Sequence, residues 1–180
     1  MYILKVDEEI SLKLLEPTDA DELFTLVDES RMYLRRWLPW VDEMQKATDY
    51  KPIITMWFKQ FQMQDGFQAG IYFKGKLVGV AGFHAIDWEN RKTSIGYWLG
   101  EESQGYGIMT RVVKKLVDFA FDEYKLNRIE IQCGEDNAQS RAIPERLGFV
   151  KEGVVREAEY LYDHFHDLVT YSILFKEWMG

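Results

Sequence analysis

Tyr97-Trp-Leu-Gly-Glu-Glu-Ser-Gln-Gly-Tyr-Gly-Ile-Met-Thr110 joins two structural periods within one short stretch. Thr93 to Leu99 reads as a strand. From Met109 the apolar residues Met109, Val112, Val113, Leu116, Val117 and Ala120 recur at the i, i+3, i+4, i+7 spacing of a helix with one buried stripe. Arg111, Lys114, Lys115, Asp118 and Asp122 fill its other face. Between strand and helix lie Gly105 and Gly107, which allow a tight turn and a close approach of main chain to a ligand. The unpaired N–H groups and positive dipole end of the helix then face that ligand. This arrangement holds a phosphate or pyrophosphate on main-chain donors. Gln104, Gly105, Tyr106, Gly107, Ile108, Met109 and Thr110 are therefore the candidate binding turn.

Upstream, Ile10 to Leu14 alternates as a strand, and Pro17 sits just inside the start of a helix running to about Val27. Leu34 to Trp40 is an aromatic-rich turn. A helix from about Tyr50 to Met63 carries Ile53, Ile54, Trp57, Phe58 and Phe61 on one face. Phe67 to Phe73 and Leu77 to Ile86 are strands joined at Lys74-Gly-Lys76, a hairpin signal. Downstream of the helix ending near Tyr124, Arg128 to Cys133 alternates. Asn137 opens a short helix to Leu147, with Gly148 as its left-handed cap. Phe149 to Tyr162 and Phe165 to Phe175 close the chain as strands. The order β, α, α, β, β, β, α, β, α, β, β predicts a mixed α/β or α+β fold.

The 180 residues fit one domain, and at 47% hydrophobic and 15% aromatic they can bury a core. No run of 18 apolar residues exists, so no membrane span is expected. The acidic N-terminus does not read as a signal peptide. One cysteine leaves no internal disulfide, which suits a reducing cytoplasm. A net charge of −8 opposes a nucleic-acid partner and favours a cationic substrate such as an amine.

The turn resembles the acetyl-CoA signature of the GNAT N-acetyltransferase superfamily, Gln/Arg-x-x-Gly-x-Gly/Ala, read here as Gln104, Gly107 and Met109, the last departing from the pattern. Asn137-Ala-Gln-Ser-Arg-Ala-Ile-Pro-Glu-Arg-Leu-Gly-Phe149 is similar to the second acetyltransferase motif. Arg36-Trp-Leu-Pro-Trp40 and Ala158 to Asp167 are similar to the branch that acetylates N-termini of ribosomal proteins, the Rim type. The resemblance covers nearly the whole chain. It implies the acyl-CoA N-acyltransferase fold: a central, mostly antiparallel twisted sheet, splayed at the cofactor site, with helices on both faces. It also implies acetyl-CoA as co-substrate without a metal, a protein N-terminal amine as acceptor, and a homodimer. A polyamine or aminoglycoside acetyltransferase, and a non-catalytic acyl-CoA sensor, are the alternatives.

The resemblance further implies that Gly96 to Leu99 pairs through its backbone with the pantetheine arm, making Trp98 and Leu99 cofactor contacts; both side chains also read as sheet core. An N–H near Leu99 could polarise the thioester carbonyl. Asn137 would meet the pantetheine arm and Ser140 the sulfur, although each also reads as a helix cap. Pro144 leaves the Ser140 carbonyl without its helical partner. Glu159 matches the position of a water-linked base, with Glu157 two residues away on the same strand face. Trp37, Trp40, Trp57, Phe58 and Phe61 read as core or as an acceptor groove. His164 and His166 share a strand face but read as surface polar residues, and Cys133 as a buried small residue. Gly70 to Lys76 has P-loop spacing but lies in a hairpin, and Gly105-x-Gly107 lacks the third glycine of a dinucleotide fingerprint.

Overall fold

In the computed structural model, which describes residues 2–178, strands β1 (Tyr2–Lys5) and β2 (Ile10–Lys13) form an opening hairpin. Asp7 makes its turn, its carboxylate accepting from the N–H groups of Glu9 at 2.8 Å and Ile10 at 2.9 Å. Then come α1 (Ala20–Glu29), α2 (Arg31–Arg35) and α3 (Tyr50–Gln62). Strands β3 (Phe67–Phe73) and β4 (Lys76–Phe83) form the hairpin read at Lys74 and Gly75, whose φ values of 51° and 82° give the left-handed pair that fits strand twist. Strand β5 (Lys92–Leu99), α4 (Ile108–Asp122) and β6 (Arg128–Gly134) follow, then α5 (Ala138–Arg146), β7 (Val150–Leu161), β8 (His164–Leu174) and α6 (Phe175–Trp178).

Among the described residues, eight strands form one sheet in the order β1-β2-β3-β4-β5-β6-β8-β7. Every neighbouring pair is antiparallel except β5 and β6. That parallel pair follows from α4, the crossover a parallel connection requires. One sheet face packs on α4, whose Val112, Val113, Leu116 and Val117 are fully buried. Burying such a side chain contributes about 1.5–3 kcal/mol. The opposite face packs on α1 and α3 through Leu23, Val27 and Ile54. The mixed, mostly antiparallel sheet with helices on both faces agrees with the expected fold class.

Three local expectations need correction. Strand β1 was absent from the reading, because the signal is a short apolar run. The segment Leu34 to Trp40 begins inside a helix, α2, which breaks from α1 at the buried Ser30. Ser30 Oγ accepts from the Glu101 N–H at 3.0 Å and so ties this break to the loop after β5. Third, Glu157 does not share the face of Glu159. The register slips between Val155 and Glu159, and Glu157 sits at φ 51°. Its N–H donates to Asp167 Oδ1 at 2.7 Å and its side chain is exposed. The bulge re-aims one carboxylate and not the other.

Candidate active site

The sheet splits between β5 and β6. The two strands pair only where Lys92, Thr93 and Ser94 meet Arg128, Ile129 and Glu130, although β5 continues to Leu99 and β6 to Gly134. Across β5, the bonds from Gly100 N–H to Val78 O and from His84 N–H to Ser94 O, both 2.9 Å, fix the antiparallel alternation. Main-chain groups of Gly96 and Trp98 therefore turn toward β4, and those of Tyr97 and Leu99 face the split without a strand partner. Unpaired backbone lining a gap is a place where an extended ligand can add as a strand. The Leu99 carbonyl accepts from Gln104 Nε2 at 3.2 Å, which leaves its N–H directed into the gap. Gln104 thus shapes the turn with its side chain.

The turn itself has the expected geometry. Gly105 and Gly107 lie at φ 85° and 69°, and Gly107 is the N-cap of α4. A Cβ built at either glycine meets no protein atom within 4 Å. Space beside a left-handed glycine at a helix N-terminus is an anion cradle. Arg146 donates to Thr110 Oγ1 at 2.6 Å and places a guanidinium beside it. The exposed Tyr106 and the buried Ile108 and Met109 complete the turn.

A cavity of about 630 Å³ runs through the split and meets both faces of the sheet. Toward α4 and α5 it is walled by Tyr97, Leu99, Gln104, Met109, Cys133 and Ser140. Asn137 caps α5, its Oδ1 accepting from the Ser140 N–H at 3.1 Å. Ser140 Oγ lies 3.3 Å from Cys133 Sγ and 3.5 Å from the Tyr97 hydroxyl. Tyr97 donates to the Ser140 carbonyl at 3.0 Å, the acceptor that Pro144 leaves without its helical donor. Helix α5 starts at Ala138 with Asn137 as its cap, as read from sequence, and Tyr97 supplies the donor that Pro144 removes. Burial pushes the Tyr97 hydroxyl well above its ordinary pKa and raises the Cys133 thiol, so both stay protonated at neutral pH. A protonated, buried Cys133 is not a nucleophile. Tyr97→Phe orphans the Ser140 carbonyl. It is expected to cost about 1–3 kcal/mol, read as a lower midpoint in denaturant unfolding with unchanged slope.

Toward α2 and α3 the walls are Trp37, Trp40, Trp57, Trp98, Glu159 and His166. Trp40 and Trp98 meet at 6.0 Å between ring centroids. Of the aromatic residues named in the sequence, these tryptophans line the cavity, whereas Phe58 and Phe61 pack on the core. Tyr162 holds the turn before α3, its hydroxyl donating to Leu38 O at 2.5 Å. Tyr33 bridges the cavity from α2, donating to Gln139 Oε1 at 2.8 Å.

Glu159 stands opposite His166 across the β7–β8 ladder, with Oε1 3.5 Å from the imidazole Nε2. That Nε2 is buried and has no hydrogen-bond partner among the described residues. His166 is therefore a cavity residue, against the expectation of a surface one; His164 instead pairs with Asp163 at 2.7 Å on the surface. His84, absent from the expected site residues, also lines the cavity, from the end of β4. The available signal was a glycine inside each strand bordering the split. A Cβ on Gly96 would lie 2.6 Å from His84 Nε2, and one on Gly134 3.1 Å from His166 Cε1. Each glycine makes room for one imidazole. Among the described residues no group of three His, Cys, Asp or Glu side chains could hold a metal ion. No described helix is long and apolar enough to cross a membrane.

Residues 9–150 match the acetyltransferase (GNAT) domain family. The chain is 41% identical to the putative ribosomal N-acetyltransferase YdaF of Bacillus subtilis (strain 168), covering 100% of this chain and 99% of that protein. The solved microcin self immunity acetyltransferase MccE, in complex with acetyl-CoA and AMP, superposes with a TM-score of 0.91 at 32% identity, covering 95% of each chain. The ribosomal alpha-N-protein acetyltransferase RimL, in complex with coenzyme A, superposes with a TM-score of 0.91 at 27% identity over 96% of this chain and 97% of its own. Matched by the family model over residues 9–150 and 41% identical over its full length to a relative, this chain belongs to the GNAT family of acetyl-CoA-dependent N-acetyltransferases.

Proposed function

We propose that the acceptor is the α-amino group of a protein N-terminus, a ribosomal protein by analogy with what YdaF and RimL are named for. The observation that carries this reading is the two-mouthed cavity. Its α4–α5 side offers main-chain donors, and its α2–α3 side offers an aromatic wall ending in a carboxylate. Residues 104–110 hold the pyrophosphate. Asn137 and the gap-facing backbone of Tyr97 and Leu99 guide the pantetheine arm, with the Trp98 side chain on the cavity wall. Acetyl-CoA supplies an acetyl group activated as a thioester.

Glu159, acting through water, takes the proton that frees the amine, and the Leu99 N–H steadies the carbonyl oxygen. Ser140 donates toward the departing sulfur, backed by the Tyr97 hydroxyl. Coenzyme thiols have a pKa of about 8.5, so only modest help is needed. Ser140→Ala is expected to lower turnover about tenfold, the loss of one hydrogen bond to developing charge, with little change in apparent KM. Stopped-flow thiol release checks this.

The acceptor choice follows from proton affinity. With pKa values of about 7.7–8.0 for an α-amine and 10.4 for lysine, roughly 10–20% of the former but about 0.04% of the latter is neutral at pH 7. One water-linked carboxylate is matched to the former. A peptide with a free, small N-terminal residue is expected to release coenzyme thiol, while the same peptide blocked at its N-terminus does not, even with lysines present. A second reading, a small amine bearing a planar group, is favoured by the tryptophan wall and by the AMP in the MccE complex. Turnover confined to such amines or to polyamines would replace the first reading by the second.

A further inference from the structure

Amide formation removes two protons from an acceptor ammonium: one before attack, and one as the C–N bond forms. Glu159 is placed for the first, on the β7–β8 side of the split. The opposite side carries the unpaired main chain of β5, and among the described residues lining the cavity's α2–α3 half His84 stands there, with the Tyr33 hydroxyl engaged on Gln139.

The His84 imidazole is open to the cavity and held in place by its neighbours. Its ring lies on Gly96, where a Cβ would clash at 2.6 Å with Nε2 and 2.7 Å with Cε1. Its Nδ1 lies 2.8 Å from Ser94 Oγ. With that nitrogen as the donor, Nε2 is the acceptor, and it sits against Gly96, the residue before the gap-facing Tyr97. Ser94 also fixes the strand end, its carbonyl accepting from the His84 N–H at 2.9 Å. Gln60 of α3 and Gln68 of β3 line the cavity near it and are neutral; Asp65 in the loop between them is engaged with the Ile86 N–H at 3.0 Å. The ionisable groups across the gap are Glu159 and His166. Crowding by protein lowers the His84 pKa, and no charged neighbour opposes this. The ring is therefore neutral, and able to accept a proton, at and somewhat below neutral pH.

We propose that His84 is a second proton acceptor of the transfer, taking at Nε2 the proton that the acceptor nitrogen sheds as the new C–N bond forms. The atoms balance. The acceptor ammonium loses one proton to water and Glu159 and a second to His84. The nitrogen lone pair forms the C–N bond, the C–S bond breaks, and the sulfur leaves with its electron pair to take one proton back. One proton is released to solvent per turnover. The proposal rests on the acceptor entering from the tryptophan side, and it holds for whichever amine the enzyme acetylates.

The two bases leave different traces against pH. Above the pKa of the amine, the first proton is already gone and Glu159→Gln recovers. The second proton must still leave, so His84→Gln stays slow. His84→Gln is expected to lower kcat on the order of 10²-fold on both sides of the amine pKa, with unchanged acetyl-CoA affinity by calorimetry. The wild-type acid limb, falling below the ordinary histidine pKa of about 6.5, is expected to vanish in the variant. In His84→Ala, added imidazole is expected to restore turnover in proportion to its concentration, which a merely structural role would not allow. Gly96→Ala, which pushes the ring aside, is expected to share the defect. Wild-type kcat with the acid limb intact in His84→Gln, or a defect in His84→Ala that imidazole leaves untouched, would overturn the assignment. Either result would leave the acceptor assignment standing, because that is read from product position in the unmodified enzyme.

Discussion

Gly107→Val is expected to weaken acetyl-CoA binding by on the order of a hundredfold or more while leaving a folded protein. The two consequences separate cleanly at this residue. Gly107 sits at φ 69°, where a β-branched side chain costs roughly 1–3 kcal/mol of backbone strain. No protein atom lies within 4 Å of the added Cβ, so the fold meets no clash. The volume that Cβ and its methyl groups fill is the space over the α4 N-terminus, where the phosphates would sit. Losing two charge-assisted hydrogen bonds there, at about 1.5–3 kcal/mol each, gives the stated range. Isothermal titration checks affinity, and a thermal melt checks folding. Unchanged affinity in a folded variant would move the phosphate site away from residues 104–110.

The second large effect is on turnover. Glu159→Gln is expected to slow acetylation of an α-amine about a hundredfold at neutral pH, the low end for a general base acting through water. The deficit is expected to shrink as pH rises through the amine pKa of about 8, because the neutral amine no longer needs the base. Apparent KM for acetyl-CoA is expected to stay unchanged, since Glu159 lies on the α2–α3 half of the cavity. Glu157→Gln serves as comparison: the bulge turns that side chain to solvent, and its variant is expected to keep wild-type kcat. A flat, wild-type profile for Glu159→Gln would leave the α-amine to lose its first proton to solvent.

What could be read from sequence follows the range of the forces involved. Helix α4 and its glycine turn were legible because amphipathic period and left-handed glycine are local properties. The Lys74-Gly75 hairpin and the Gly148 cap were legible for the same reason. The β7 bulge was not, because it arises from register against β8, and so two glutamates two residues apart looked equivalent. The histidines were harder still. His84 follows β4 and His166 lies on β8, on either side of the split, and only the divergence of β5 from β6 brings them to one cavity. Their trace in the sequence is indirect: Gly96 and Gly134, glycines within strands, where glycine weakens the strand and marks a close approach. Pro144 is similar. It breaks a helix rule locally, and its compensation, the Tyr97 hydroxyl, lies in a strand more than forty residues earlier.

The most direct measurement is a crystal structure with a bisubstrate compound in which coenzyme A is joined through an acetyl spacer to the α-amine of a short peptide. The arm is expected to thread between β5 and β6, hydrogen-bonded to the main chain of Tyr97 and Leu99. The pyrophosphate is expected on residues 104–110, and the peptide emerging on the opposite face between Trp37 and Trp57, with its nitrogen near Glu159. A compound bound with peptide and coenzyme on the same face of the sheet, or lying outside the split, would contradict it.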